Sequence, residues 1–150
     1  MKKLAVALVL VALVSATAFS QSADIITQLL ETNETTYGQA AYLAAVYKES
    51  VSETATEQDA LQAMVDAGYI DASKSADSVI PLKDLAKLCA RVTGIRGGLF
   101  YSLTHAPRYA YRELKAKGIV PQSSDRSQKV SGRDALAVLN GCIKLAGGNE

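Results

Sequence analysis

The sequence predicts an all-α protein, with three helical-pair repeats packed as one domain behind a cleaved leader. Three observations carry this. Apolar residues recur at i, i+3, i+4 spacing in five stretches, the mark of helices with one buried face. Strict apolar–polar alternation, which would signal strands, is nearly absent. Capping pairs and glycines stand where those stretches begin and end.

The first twenty residues have the order of a secretory signal. Lys2 and Lys3 form a positive start, Leu4 to Val14 an apolar run, and Ser15 to Ser20 a tail of mainly small residues. The apolar run is shorter than the roughly 20 residues a spanning helix needs. Cleavage fits after Ser20, the preferred site, or after Ala18. No cysteine lies nearby for a lipid anchor, and no later segment is long and apolar enough to hold the product in a membrane. The expected product is exported to the periplasm or cell surface, and residues 21–150 have the length of one domain with one modest core.

Within that domain the helical stretches run in order. A partial unit spans Ala23 to Leu30 and Thr35 to Lys48, with Ala40, Leu43, Ala44 and Tyr47 on one face and a Thr36-x-x-Gln39 capping pair. Ala60, Leu61, Met64 and Val65 follow, then Leu85, Leu88, Cys89 and Val92. The last stretches carry Ala110, Tyr111 and Leu114, and then Ala135, Val138, Leu139 and Cys142 behind a Ser131-x-x-Asp134 pair. Gly68 and Gly118 sit where helices would end in the left-handed cap that glycine tolerates best. These two glycines are 50 residues apart, and the same offset maps Ala60 on Ala110, Met64 on Leu114, Ile70 on Val120, Ile80 on Val130 and Asp84 on Asp134. Units of about 23–48, 57–92 and 108–146 result, each too small to bury its apolar face alone.

The segment "YAYRELKAKGIV…VSGRDALAVLNGC" resembles the S-layer homology repeat, which runs Trp-Ala, apolar helix, Gly-Ile, polar loop, then Ile-Thr-Arg-Ala-Glu. Tyr109-Ala110, Gly118-Ile119 and Val130 to Asp134 take those places, and Gly68-Tyr69-Ile70, Ile80 to Asp84 and Thr35 to Gln39 match more loosely. The resemblance implies an exported, non-catalytic module of three packed helical pairs that holds a protein to a cell-wall glycan. The chain departs from the pattern at its motif arginine, which would fall at Tyr37, Leu82 and Gly132, and it has no tryptophan.

The near-neutral formal charge of +1 conceals a polarity. Residues 21–80 carry two lysines against ten acids, whereas residues 81–150 carry twelve bases against five acids. Either the basic half presents a binding face, or the halves attract one another within one fold or between copies. Cys89 and Cys142 are the only cysteines. Export would permit a disulfide between them, and two small buried apolar residues are the other reading.

The densest chemistry lies in "GIRGGLFYSLTHAPRYAYREL", Gly94 to Leu114. Gly94, Gly97, Gly98 and Pro107 shape a joint between helices, while Leu99, Phe100 and Leu103 hold it to the core. Arg96, Tyr101, His105, Arg108, Tyr109 and Arg112 remain as candidate ligand- or partner-binding residues. Arginine forks and tyrosine faces suit sugars, carboxylates or phosphates. Arg108 and Arg112, at i and i+4, share one helix face. His105 with Glu113 or Ser102 is the only local arrangement an enzyme could use, and a lone histidine gives neither an acid–base pair nor a metal-ligand set. "DASKSAD", Asp71 to Asp77, lacks the central glycine and closing glutamate of a calcium loop and reads as a solvated turn. The expectation is a non-catalytic envelope module, without cofactor, metal or nucleic-acid partner, that binds an envelope glycan or envelope protein. A self-assembling homo-oligomeric subunit is the alternative, and a small hydrolase comes last.

Overall fold

A computed structural model describes residues 23–95 and 106–148. The expected leader, Arg96, Tyr101, His105 and the run from Gly97 to Leu103 lie outside the described residues. The described residues form six helices and no strand: α1 (23–31), α2 (Tyr37–Tyr47), α3 (Glu57–Asp66), α4 (Leu82–Val92), α5 (Pro107–Ala116) and α6 (Gly132–Gly147). The protein is all-helical, and none of these helices is long and apolar enough to cross a membrane.

Local chemistry sets the helix ends. At α2, the Gln39 amide donates to Thr36 Oγ1 at 3.2 Å and the Thr36 amide to Gln39 Oε1 at 3.1 Å, a reciprocal capping box. Thr56 and Asp59 form a second box at α3, and at α6 the Asp134 amide donates to Ser131 Oγ at 3.2 Å. Pro81 and Ala106 open α4 and α5 without a side-chain cap. At the other end of α3, the Tyr69 and Ile70 amides both reach the Met64 carbonyl, at 2.8 and 3.2 Å. At α5 the Ile119 and Val120 amides reach Leu114 in the same way, at 2.9 and 3.2 Å. Gly68 and Gly118 make these turns possible, each with φ of +73°, where a Cβ would be strained.

The first amides of a helix have no partner within it, and here they dock the units. Tyr37 and Gly38 donate to the carbonyls of Ser78 and Ala76, both at 2.9 Å; Leu82 and Lys83 donate to Gln128 and Arg126, at 3.0 and 2.9 Å. Gly132 closes the circuit by donating to Thr32 at 2.9 Å. Two isolated antiparallel bridges, Thr36 with Val79 and Pro81 with Lys129, follow the same scheme. At its centre the Thr35 amide donates to Val130 at 2.7 Å, and the Thr35 carbonyl accepts from Ile80 at 2.9 Å. The Lys129–Glu34 ion pair, at 2.6 Å, and a bond from Arg133 Nε to the Leu30 carbonyl, at 3.2 Å, tie the last unit to the first.

Helix packing adds a point the apolar stripes do not reveal. α2 packs mainly on α3, and α4 on α5, so the closest pairs cross the boundaries between the expected units. α3 and α4, expected as one helical pair, touch little directly. The Gly68 turn and the anchored segment 76–81 separate them. α6 completes the core against α4 and α2. Leu29, Leu61, Met64, Leu85, Leu88, Leu114, Val138 and Leu139 are among the buried residues of one continuous apolar cluster.

Cys89 and Cys142 are both buried and both free thiols in this core. Burial pushes the Cys142 thiol up to about 12 and the Cys89 thiol well above its ordinary value, Cys89 also through the charge of Cys142. Neither is a ready thiolate at neutral pH.

Thr35, fully buried at the central junction, holds the one buried side-chain polar atom without a hydrogen-bond partner among the described residues. Thr35→Val keeps the shape and removes that orphaned hydroxyl. Since an unsatisfied buried hydroxyl costs about 1–3 kcal/mol, the substitution is expected to raise the unfolding free energy by about 1 kcal/mol or more, read as a higher denaturant midpoint. A loss of stability instead would mean that the hydroxyl is satisfied, for example by a buried water.

Candidate functional site

Two cavities stand beside the helix starts, and charge distinguishes them. The first, about 250 Å³, lies between the start of α2, the turn after α3, and α4. Tyr37, Tyr69, Asp71, Lys74, Asp84 and Lys87 line it, two acids against two lysines. Its polar groups are largely committed to the protein. Tyr37 donates to Asp84 Oδ2 at 2.6 Å, and burial first, then that bond, drives the phenol well above its ordinary range, so it stays a neutral donor. Lys74 lies 5.4 Å from the Tyr37 ring centre. Arg91 sits over Tyr69 at 5.1 Å and donates to the Gly68 carbonyl at 2.6 Å. This cavity holds α2 to α4.

The second cavity, about 410 Å³, is lined by Arg108, Tyr109, Tyr111, Arg112 and Arg126. Among the described residues, three arginines and no acidic residue line it. Pro107 starts α5 with its fixed φ, and the next turn presents Arg108 and Arg112 to the same cavity, as their spacing requires. Arg108 sits over the Tyr109 ring, 4.6 Å from its centre, and donates to the Tyr109 hydroxyl at 3.0 Å. That stacking orders one long side chain before any ligand arrives.

Arg126 comes from the loop after α5, which folds back over the helix. Tyr111 Oη donates to the Ser124 carbonyl, Lys115 Nζ donates to the same carbonyl at 3.0 Å, and Gln122 Nε2 donates to the Lys115 carbonyl at 2.7 Å. From the other side, the Lys83 amide grips the carbonyl of Arg126 itself. The loop is thus fixed at both ends of the cavity. Asp125, beside Arg126 in the chain, accepts from the Ser127 amide at 2.7 Å; the Ser127 bonds first, and then the nearby Arg126 and Lys115 charges, hold its carboxyl below its ordinary value.

Of the six residues the sequence singles out, Arg108, Tyr109 and Arg112 come together here, while Arg96, Tyr101 and His105 lie outside the described residues. Sequence reasoning misses Tyr111 and Arg126. Tyr111 reads as part of an apolar stripe, and it is buried, yet its hydroxyl emerges to pin the loop. Arg126 gives no signal, because nothing local says that the loop returns to α5. Pairing with the acidic half does not account for the arginines, since the ion pairs among the described residues are Lys117–Glu113 and Lys129–Glu34. Nor does the scaffold require them. Fifty residues earlier, the corresponding positions hold Gln58, Asp59, Leu61, Gln62 and Ala76.

The positions at which the resembled repeat has its arginine carry no cation here. Tyr37 and Leu82 are buried, and a Cβ on Gly132 would lie 1.8 Å from the Leu29 carbonyl oxygen. No protein-family model, curated protein or solved structure matches this chain.

Proposed function

We propose that the chain is an exported, non-catalytic envelope module, built of three S-layer-homology-like units, that binds an envelope glycan through the arginine cavity on α5. The carrying observation is the convergence of Arg108, Arg112 and Arg126 in one cavity with no acidic residue among the described residues that line it. Guanidinium forks with no acidic residue among the described lining favour a partner that brings negative charge, and fixed forks recognise anionic oxygens better than flexible ammonium groups do. Three further features support the reading: the leader-like order of residues 1–20, the hydrogen bonds that recur 50 residues apart, and a single histidine in the chain. Since none of the motif-arginine positions carries a cation, recognition would have moved from the second helix of each unit to the outer face of α5.

Replacing Arg108 and Arg112 together by alanine tests this. Binding to purified envelope polymer should fall at least about tenfold, the loss expected for one or two charge-assisted bonds. Thermal stability should hold nearly constant, because exposed charges contribute only about 0–1 kcal/mol. Pull-downs should compare purified polymer with envelope proteins. Retention on the proteins alone would reassign the partner. Salt-sensitive self-association in sedimentation would favour the homo-oligomeric alternative. If the double variant unfolds while binding per folded molecule is unchanged, the arginines are internal struts and the reading fails.

A further inference from the structure

We infer that the arginine cavity recognises a phosphate monoester carried on a sugar- or polyol-sized group. The inference rests on the binding role proposed for this cavity and names the chemistry of its ligand. Charge comes first. Arg108, Arg112 and Arg126 bring three fixed positive charges, and Lys115 stands just behind Tyr111, with Nζ 3.1 Å from its hydroxyl. A carboxylate offers one charge and two oxygens, enough for one bidentate guanidinium. It would leave two of the three guanidiniums without an anionic partner in the cavity. A phosphate monoester carries a charge of about −1.5 to −2 at neutral pH and three terminal oxygens, which can engage forks arriving from different directions.

Hydrogen-bonding capacity comes next. The guanidiniums are pure donors. Tyr109 accepts from Arg108, and Tyr111 donates to Ser124 while accepting from Lys115. A neutral sugar needs acceptors as well as donors around its hydroxyls, and no acidic residue among the described lining supplies a carboxylate for them. The lining therefore selects the anionic end of a ligand. Size argues for a carrier, since about 410 Å³ lies within the range of roughly 300–1,000 Å³ that encloses small organic ligands and exceeds what a bare ion fills. Arg126 is the discriminating member. It faces α5 from a separately anchored loop, so the cavity grips an anion from two sides.

Calorimetric titration of the exported protein with glucose 1-phosphate, glucuronate and glucose tests the inference. Glucose 1-phosphate should bind at least about tenfold more tightly than glucuronate, and glucose should give no heat of binding. Arg126→Ala and Arg112→Ala should each weaken the phosphate by about tenfold, and Arg126→Lys should recover only part of the loss, because the fork is missing. Equal affinity for glucuronate and glucose 1-phosphate would overturn the phosphate assignment, and so would phosphate binding indifferent to Arg112→Ala and Arg126→Ala. Vesicles containing phosphatidate, beside vesicles of neutral lipid, identify the source. Binding to phosphatidate with no response to the sugar phosphate would place the phosphate on a lipid headgroup, with the same chemistry. Envelope polymer retained without any phosphate response would remove this inference and leave the glycan-binding reading intact. Glucose 1-phosphate binding without envelope retention would do the reverse.

Discussion

Replacing Gly132 by alanine is expected to cost about 3–5 kcal/mol, combining an overpacking penalty with the partial loss of Leu29 burial. The reason is room rather than backbone conformation. Gly132 begins α6 without a positive φ, but a Cβ there would sit 1.8 Å from the Leu29 oxygen and 2.6 Å from its carbonyl carbon. Backbone cannot swing aside as a side-chain tip can. Segment 29–32 would have to move, breaking the bond from the Gly132 amide to Thr32 and pulling Leu29, now 2% exposed, out of the core. A domain of this size has about 5–15 kcal/mol in total, so the variant should unfold at a much lower denaturant concentration. A midpoint shift worth less than about 1 kcal/mol would show that the first and last units are not docked this way.

What was legible in the sequence was local. Thr36 with Gln39 and Ser131 with Asp134 are capping pairs because each bond spans three residues, and both form. Gly68 and Gly118 end their helices because only the residue itself must tolerate a left-handed φ. The all-helical class and the inward direction of Cys89 and Cys142 follow from the same short-range periodicity. What depended on distant partners was not legible. The Thr35, Ile80 and Val130 junction joins residues far apart in the chain through backbone groups, which are the same for every amino acid. The stripes on α3 and α4 show that each buries a face, but not that α3 turns to α2 and α4 to α5. At the candidate site the i, i+4 relation brought out Arg108 and Arg112, whereas Arg126 arrives through a loop fold set by Tyr111, Lys115 and the Lys83 amide. Gly132 shows the same division. That a glycine stands where the resembled motif has an arginine can be read from the sequence, and the backbone that forbids any side chain there cannot.

Met64→Ala and Leu114→Ala should each lose about 2–5 kcal/mol, the usual range for emptying a fully buried aliphatic site. Both side chains are completely buried, and both carbonyls receive two amides from the turn that follows. Their consequences for binding should differ. Leu114 lies two residues beyond Arg112, and two residues turn a helix by roughly 200°, so Leu114 anchors α5 from the side opposite the arginine cavity. A cavity beneath α5 lets the helix settle, and a shift of about 1 Å can spoil convergence on a small anion. Leu114→Ala should therefore weaken retention on envelope polymer per folded molecule, whereas Met64→Ala, at an equivalent place under α3, should leave it unchanged. Denaturant midpoints paired with retention of the folded fraction measure both effects. If the two variants are equally destabilised and equally retained, α5 is not the recognition helix. If Leu114→Ala costs less than about 1 kcal/mol, its side chain is not the anchor that fixes α5 to the core.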